Sequence, residues 1–177
     1  MPQTKESKPN STQSKTKNTT KTKKICFVCL GNICRSPLAE GIANYLYATT
    51  FKHTNKNATA LEFSSAGTSG FHNGEGIDAR SIAIAKQHNI DISSYKSKQV
   101  SPYAHSEVDM FIAMDRQNYA NLLKLGFAPE RIALLGDFGL GGEEVPDPYY
   151  GGSDGFSKVY EMLKIGITNL LEQLQKD

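Results

Sequence analysis

Cysteines and long apolar runs are both scarce in this sequence, and each scarcity excludes a class of protein. Three cysteines in 177 residues are too few for a disulfide scaffold, and an odd number leaves at least one thiol free. No apolar run approaches the ~20 residues of a membrane span, and the polar first residues lack the apolar segment of a secretory signal. We therefore expect a cytoplasmic protein with no membrane insertion.

The charge is divided unevenly between a basic start and a mildly acidic remainder. The first 24 residues hold seven lysines and one acidic residue, a net charge of +6, whereas the whole chain carries +2, so residues 25–177 must carry −4. A mildly acidic domain argues against a nucleic-acid-binding surface, and we expect no nucleic acid among the partners.

Residues 1–23 form a segment rich in Lys, Ser and Thr with almost no apolar side chains. Such a segment buries too little surface to offset its ordering entropy, so we predict a disordered tail before one domain over 24–177. The tail either contacts an anionic partner or is a solvated extension without a specific role, and the general behaviour of chain termini favours the second interpretation.

Four short apolar stretches alternate with helical patterns along the domain. Residues 25–29 form a continuous apolar run, typical of a strand buried on both faces, and further strands are predicted at 61–66, 108–114 and 132–135. Helices are predicted from an N-cap at Ser36, over 78–88, around Tyr119 and along a final apolar stripe from Phe156. The alternation predicts an α/β fold: a four-stranded parallel sheet with helices on both faces and ligands at the carboxyl ends of its strands.

The loop after the first strand carries the strongest chemical signal. Cys29 ends the apolar run six positions before Arg35, and the first helix follows at once. A loop that curls back into a helix N-terminus points several N–H groups at one spot and forms a phosphate-binding cradle. Arg35 adds a planar fork of donors, and this positive environment favours the thiolate form of Cys29. A lone Cys-x5-Arg would fit a buried cysteine better, but the strand before it, Gly31 within it and the Ser-Pro helix start all agree.

Three ordered segments resemble the low-molecular-weight protein tyrosine phosphatases. Residues 27–40, FVCLGNICRSPLAE, are similar to the family signature; residues 63–71, FSSAGTSGF, resemble its pocket wall; and residues 145–151, VPDPYYG, resemble its acid loop. The likeness covers about residues 24–175, and three ordered motifs are far more specific than the first alone. It implies an enzyme that hydrolyses phosphotyrosine monoesters on proteins, needs no cofactor or metal, and is a monomer or weak dimer.

The resemblance also implies the catalytic roles. Cys29 would attack phosphorus and become phosphocysteine, Arg35 would bind the phosphate and stabilise the transition state, and Asp147 would act first as general acid and then as general base. A turn residue before proline is the alternative for Asp147. The residues implied in phosphate binding are Leu30, Gly31, Asn32, Ile33, Cys34, Arg35 and Ser36.

Four residues are implied in supporting roles around the catalytic groups. Ser36 would donate a hydrogen bond to the thiolate, and Asn32 would brace the loop with Ser65 as its partner. Asp115, at the end of the third predicted strand, would orient the arginine, cap the next helix, or both.

The substrate slot implied by the resemblance is walled by apolar and aromatic side chains, which stack well on a phenyl ring. Related phosphatases that act on phosphoarginine carry threonine at the position of Ile33, so isoleucine favours phosphotyrosine. One departure from the family is Tyr95, which stands where a histidine often braces the phosphate loop; that brace is either absent or replaced by the Tyr95 hydroxyl. The implied slot residues are Leu30, Ile33, Phe71, Tyr149 and Tyr150.

A second cysteine in the loop predicts redox control. Cys34 follows Cys29 by five positions, and the curl of the loop brings their Cα atoms within the ~7 Å that a disulfide tolerates. Peroxide would oxidise Cys29, and Cys34 would convert the product into a reversible disulfide. The alternative is that Cys34 is only a packing residue. Cys26, inside the strand, takes no part.

Three other functions share parts of this pattern. An arsenate reductase relays a disulfide through two further cysteines, but no cysteine follows Cys34. A phosphocysteine carrier must retain its phosphate, so Arg35 and Asp147 would be liabilities. A phosphotyrosine-binding module without turnover has no need of Cys29 and Asp147. Only the phosphatase releases phosphate from a small aryl phosphate.

Overall fold

The computed structural model describes residue 2 and residues 21–52, 58–152 and 154–176. Most of the predicted tail, residues 3–20 together with residue 1, therefore lies outside the described residues. The first strand begins at Lys23.

A four-stranded parallel sheet forms the centre of the domain and confirms the predicted α/β fold. Its strands are β1 (Lys23–Cys29), β2 (Leu61–Gly67), β3 (Met110–Ala113) and β4 (Ile132–Leu134), in the order β2-β1-β3-β4. Successive residues of central β1 alternate between two apolar clusters, with Phe27 in one and Val28 in the other. Burial on both faces explains why its apolar run is continuous.

Helices cover both faces of the sheet, as predicted. They are α1 (Arg35–Leu46), α2 (Ala79–Gln87), α3 (Arg116–Lys124) and α4 (Asp154–Lys176). Helices α1, α2 and α4 contribute to the larger apolar cluster, whereas α3 contributes Leu122 to the smaller one. The predicted apolar stripe of α4 is buried along its whole length. Among the described residues, no helix is both long enough and apolar enough to cross a bilayer.

Several predicted element boundaries were wrong by one or two residues, among them the starts of α1 and β3. Helix α1 begins at Arg35 with Cys34 as N-cap, not at Ser36, because the Ser36 hydroxyl contacts the Cys29 thiol instead of capping the helix. Strand β3 begins at Met110, two residues later than predicted, and the preceding Asp109 N–H still donates to the Lys24 carbonyl.

The carboxyl ends of β1 and β2 meet at one edge of the sheet, and the loop after β1 folds against the end of β2. The N–H groups of Thr68 and Ser69 donate to the carbonyls of Cys29 and Leu30, both at 2.9 Å. A Cβ atom on Gly67 would lie 2.7 Å from the Leu30 carbonyl oxygen, so glycine permits this close approach. The loop is thereby fixed at the edge where parallel sheets bind ligands.

Candidate active site

The loop between β1 and α1 surrounds the buried thiol of Cys29. The Cys29 Sγ lies 3.0 Å from Ser36 Oγ. Asn32 has a φ of 55°, a left-handed conformation that asparagine tolerates better than most side chains. The first N–H groups of α1 have no intrahelical acceptors, and the helix dipole favours an anion at this end. The local structure therefore fits the anion cradle that the sequence predicts.

Asn32 is buried and uses both ends of its amide to brace the loop. Its Nδ2 donates to Ser36 Oγ at 2.8 Å and to Ser65 Oγ at 3.0 Å, while its Oδ1 accepts from the Lys98 N–H at 2.9 Å. Because Ser36 Oγ accepts from Asn32, its own hydrogen is left for the Ala66 carbonyl at 3.3 Å or for the Cys29 sulfur at 3.0 Å. The structure thus brings Asn32, Ser36 and Ser65 into one network beside the thiol.

Glu40, for which no role was predicted, extends this network. The Ser65 hydroxyl donates to Glu40 Oε2 at 2.6 Å, which leaves the oxygen of Ser65 free to accept from Asn32. Burial raises the pKa of the Glu40 carboxyl above its usual value, and the Ser65 hydrogen bond partly offsets that rise. The sequence signal for Glu40 is its position one helical turn after Ser36 on α1.

Arg35 is 3% exposed and lies among oxygen acceptors at the base of the site. Its Nη1 donates to Asp115 Oδ2 at 2.6 Å and to the Val145 carbonyl at 3.1 Å, and its Nη2 lies 3.4 Å from Asp147 Oδ2. Burial opposes its charge, but Cys29, Asp115 and Asp147 together outweigh burial and raise the pKa of the guanidinium. Arg35 is therefore a permanent cation held in a fixed orientation.

Asp115 makes both contacts that the sequence left open, one with the arginine and one with the start of the next helix. One carboxylate oxygen accepts from Arg35, and the other accepts from the Asn118 N–H at 2.7 Å as the N-cap of α3. The orientation of the arginine is thereby linked to the start of α3, directly after β3.

Asp147 reaches the site from the long segment between β4 and α4. The buried Val145 ties this segment to the sheet, since its N–H donates to the Met114 carbonyl at 2.9 Å. The Asp147 Oδ1 accepts from the Tyr149 N–H at 3.0 Å, and its other oxygen faces Arg35. A half-exposed carboxylate therefore stands beside the guanidinium.

One cavity of about 340 Å³ joins these groups. Phe71 and Tyr150 are 83% and 91% exposed, so they form the rim, whereas Cys29 is buried at the base. His72 also lines the cavity, and its Nδ1 lies 2.7 Å from Glu75 Oε2. The structure brings all five predicted slot residues to the cavity, whose lining residues are Cys29, Leu30, Gly31, Ile33, Cys34, Arg35, Ser69, Phe71, His72, Asp147, Tyr149 and Tyr150.

The segment around Tyr95 braces the phosphate loop, but not through the Tyr95 hydroxyl. Burial raises the pKa of that hydroxyl, and its interaction with Asn44 of α1 partly offsets the rise. The loop is braced instead by Ser97, whose hydroxyl donates to the Gly31 carbonyl at 2.9 Å, and by the Lys98 N–H on Asn32. The brace therefore comes from the residues two and three positions after Tyr95.

All three cysteines are free and buried, but they occupy different environments. Cys34 lines the same cavity as Cys29; burial, reinforced by the nearby Asp78, raises the pKa of its thiol to about 12. Cys26 lies in the apolar cluster on the other side of β1, where burial raises the pKa of its thiol to about 12. Cys34 is therefore the only second thiol at the cavity.

Comparisons with known proteins agree with this geometry. Residues 24–177 match the family model described as low molecular weight phosphotyrosine protein phosphatase. A low molecular weight protein-tyrosine-phosphatase of Streptomyces coelicolor is 34% identical over 165 residues, covering 88% of this chain and 95% of the relative. A low molecular weight phosphotyrosine protein phosphatase of Saccharomyces cerevisiae is 35% identical over 151 residues, covering 78% and 87%. A crystal structure of a protein tyrosine phosphatase from Entamoeba histolytica, with Hepes in the active site, superposes with a TM-score of 0.77 at 34% identity and covers 87% of this chain and 97% of that one.

Proposed function

The chain belongs to the low molecular weight phosphotyrosine protein phosphatases and is a protein-tyrosine phosphatase, and we propose that it works through a phosphocysteine intermediate on Cys29. The observation that carries this proposal is the convergence of a thiol, a buried guanidinium and a carboxylate on one cavity. Nucleophile, anion receptor and proton donor are the three groups that displacement at phosphorus requires. Its substrates are proteins that carry phosphotyrosine.

The first step transfers the phosphoryl group to sulfur. The Cys29 thiolate attacks phosphorus, the bond from phosphorus to the tyrosine oxygen breaks, and the Asp147 carboxyl gives its proton to the departing phenolate. Arg35 and the loop N–H groups hold the phosphoryl oxygens as negative charge builds up on them. The Ser36 hydroxyl, whose oxygen lies 3.0 Å from the Cys29 sulfur, stabilises the thiolate by a hydrogen bond before attack and after release.

The second step returns the thiolate. A water molecule attacks phosphorus, Asp147 takes a proton from that water, and the bond between phosphorus and sulfur breaks to release inorganic phosphate. Asp147 ends this step protonated, ready to donate to the next substrate.

The assay for this function is phosphate release from a phosphotyrosine peptide and from the matching phosphoserine peptide. We expect turnover of the first and little of the second, because a short side chain does not carry its phosphate to the base of the cavity; a faster phosphoserine reaction would contradict the proposal.

Replacing Ile33 by threonine tests the substrate preference. Ile33 is half-buried in the loop and lines the cavity, so its side chain bounds the space above the phosphate. We expect Ile33→Thr to raise phosphoarginine hydrolysis and lower the ratio of phosphotyrosine to phosphoarginine activity. The measurement is kcat/KM on both compounds, with Ile33→Val as a control that shortens the side chain without adding a hydroxyl. Better hydrolysis of phosphoarginine than of phosphotyrosine by the native enzyme would refute this view of the slot.

Redox control by Cys34 is a second part of the proposal. Peroxide converts the Cys29 thiolate to a sulfenic acid, and the Cys34 thiol condenses with it to form a disulfide and release water. Cellular thiols then reduce the disulfide. Because the pKa of Cys34 is raised to about 12, its thiol is protonated at neutral pH and is not the group that peroxide oxidises first.

Peroxide inactivation followed by reductant tests this sequence. Wild type should regain activity and show a Cys29–Cys34 disulfide by mass spectrometry, whereas Cys34→Ala should inactivate at a similar rate and recover poorly. Below its raised pKa, the thiolate fraction of Cys34 rises about tenfold per pH unit, so disulfide closure should accelerate as pH increases. Equal recovery of the two proteins would show that Cys34 does not protect the nucleophile.

A further inference from the structure

The guanidinium of Arg80, in the first turn of α2, bridges two segments that are distant in sequence. Its Nε and Nη2 donate to the two carboxylate oxygens of Asp78 at 3.0 and 2.8 Å. Its Nη1 donates to the Tyr149 carbonyl at 3.2 Å. The guanidinium carbon also lies 5.4 Å from the centre of the Tyr149 ring and 4.6 Å from that of Phe156 in α4. One side chain therefore joins α2, the Asp147 segment and the start of α4.

Asp78, the N-cap of α2, is in turn attached to the phosphate loop. Its backbone N–H donates to the Ile33 carbonyl at 3.0 Å, and its carboxylate lies near the Cys34 thiol. The same turn adds Ser81, whose hydroxyl donates to the Cys34 carbonyl at 3.2 Å. Hydrogen bonds from Arg80 are the main cause that lowers the pKa of the Asp78 carboxyl. Asp78 and Arg80 therefore form an ion pair at neutral pH. The start of α2 is thus fixed to the phosphate loop through two hydrogen bonds, one from Asp78 and one from Ser81.

The segment that carries Asp147 is held differently on its two sides. Before Asp147, the buried Val145 is bonded to Met114, directly after β3, and to Arg35. After it, the residues from Tyr149 to Gly152 are exposed. Within the described part of the chain, Arg80 provides the one hydrogen bond from a side chain outside this segment to residues 148–152. Arg80 therefore holds the exposed residues that follow Asp147 in this segment.

The position of Tyr149 bears directly on the carboxylate. The Tyr149 N–H donates to Asp147 Oδ1 at 3.0 Å, so a shift of the Tyr149 backbone changes the direction of that carboxylate. Its ring, which also lines the cavity, packs against Tyr150 with ring centres 4.9 Å apart. Whatever holds Tyr149 consequently orients both the carboxylate and one wall of the slot.

We infer that Arg80, held by Asp78, is a positioning residue that aligns Asp147 with the leaving group by fixing Tyr149 relative to the phosphate loop. This inference rests on the proposed role of Asp147 as general acid. The fork of Arg80 is the essential feature, because two of its nitrogens bind Asp78 while the third reaches the Tyr149 carbonyl. A lysine supplies the charge but not this geometry.

The test is a pair of substrates that differ in their need for a proton. In Arg80→Ala, kcat/KM for phosphotyrosine should fall about 10- to 100-fold, the usual cost of misplacing a catalytic group. The same constant for dinitrophenyl phosphate, whose leaving group needs no proton, should change little. Arg80→Lys should resemble Arg80→Ala. Lys24→Ala is the control, because it removes an exposed ion pair with Glu107 at the amino ends of the strands, away from the cavity. This variant should match wild type on both substrates.

A double variant separates this inference from the proposed function. If Arg80 acts through Asp147, Arg80→Ala should cause no further loss on phosphotyrosine when added to Asp147→Asn. Equal losses on both substrates in the folded Arg80→Ala enzyme, or none on either, would overturn the positioning role while leaving the acid role of Asp147 intact. An Asp147→Asn enzyme that loses the same factor on both substrates would instead refute the proposed acid and, with it, this inference. Circular dichroism and the melting temperature identify any variant that fails to fold.

Discussion

Replacing Cys29 by serine will give a folded protein that binds phosphate but releases none from phosphotyrosine. A serine hydroxyl stays protonated at neutral pH, so the variant lacks the anionic nucleophile that attacks phosphorus. Arg35 and the loop N–H groups are unchanged, so the anion cradle persists. Phosphate release measures the loss of chemistry, and titration with inorganic phosphate by calorimetry measures the retained binding.

The matched control is Cys26→Ala, which removes another buried thiol from the same strand. Cys26 packs in the apolar cluster on the far side of β1 and does not line the cavity. We expect this variant to keep wild-type kcat at some cost in stability. Measurable turnover by a well-folded Cys29→Ser protein would remove Cys29 as the nucleophile, and loss of phosphate binding together with turnover would point to a collapsed loop.

Replacing Asp147 by asparagine will lower kcat/KM for phosphotyrosine by ~10²–10⁴, the usual contribution of a general acid. Asparagine keeps the shape and still accepts from the Tyr149 N–H, but it has no proton to give to the leaving phenolate. The loss should shrink as the leaving group becomes more acidic, because a stable phenolate departs without a proton. A series of aryl phosphates measures this dependence directly.

Asp137→Asn is the control for the change in charge. Asp137 is an exposed residue in the short 3-10 helix after β4, and it does not line the cavity. This variant should show wild-type rates across the whole aryl phosphate series. If Asp147→Asn loses the same factor with every leaving group, Asp147 is a structural residue of its loop and not the acid.

Much of the fold was predictable because burial leaves a pattern in the sequence. The apolar run of β1 reflects a central strand covered on both faces, and the long stripe of α4 reflects one buried side of a helix. The position of the site also followed, since the loop after β1 must lie at the carboxyl edge of a parallel sheet. Local preference failed at Ser36, where contact with Cys29 and Asn32 replaced the usual capping role.

The remaining site contacts had no signal in the sequence. Ser97 and the Lys98 N–H brace a loop 66 residues earlier, and one of these contacts ends on a backbone carbonyl, which every residue possesses. Asp78 and Arg80 form a recognisable acid-and-arginine pattern at a helix start, but the contact of Arg80 with the Tyr149 carbonyl spans 69 residues. That contact becomes visible only in the structure, where the start of α2 touches both the phosphate loop and the segment that carries Asp147.

The central claim is the covalent intermediate, and the Asp147→Asn enzyme mixed with dinitrophenyl phosphate tests it most directly. The first step proceeds because this leaving group needs no acid, whereas hydrolysis of the intermediate lacks its base, so phosphocysteine should accumulate. Rapid acid quenching followed by peptide mass spectrometry should place one phosphoryl group on Cys29 and none on Cys34 or Cys26. Release of dinitrophenol and phosphate at equal rates, with no phosphoryl group on Cys29 at any time, would contradict the account.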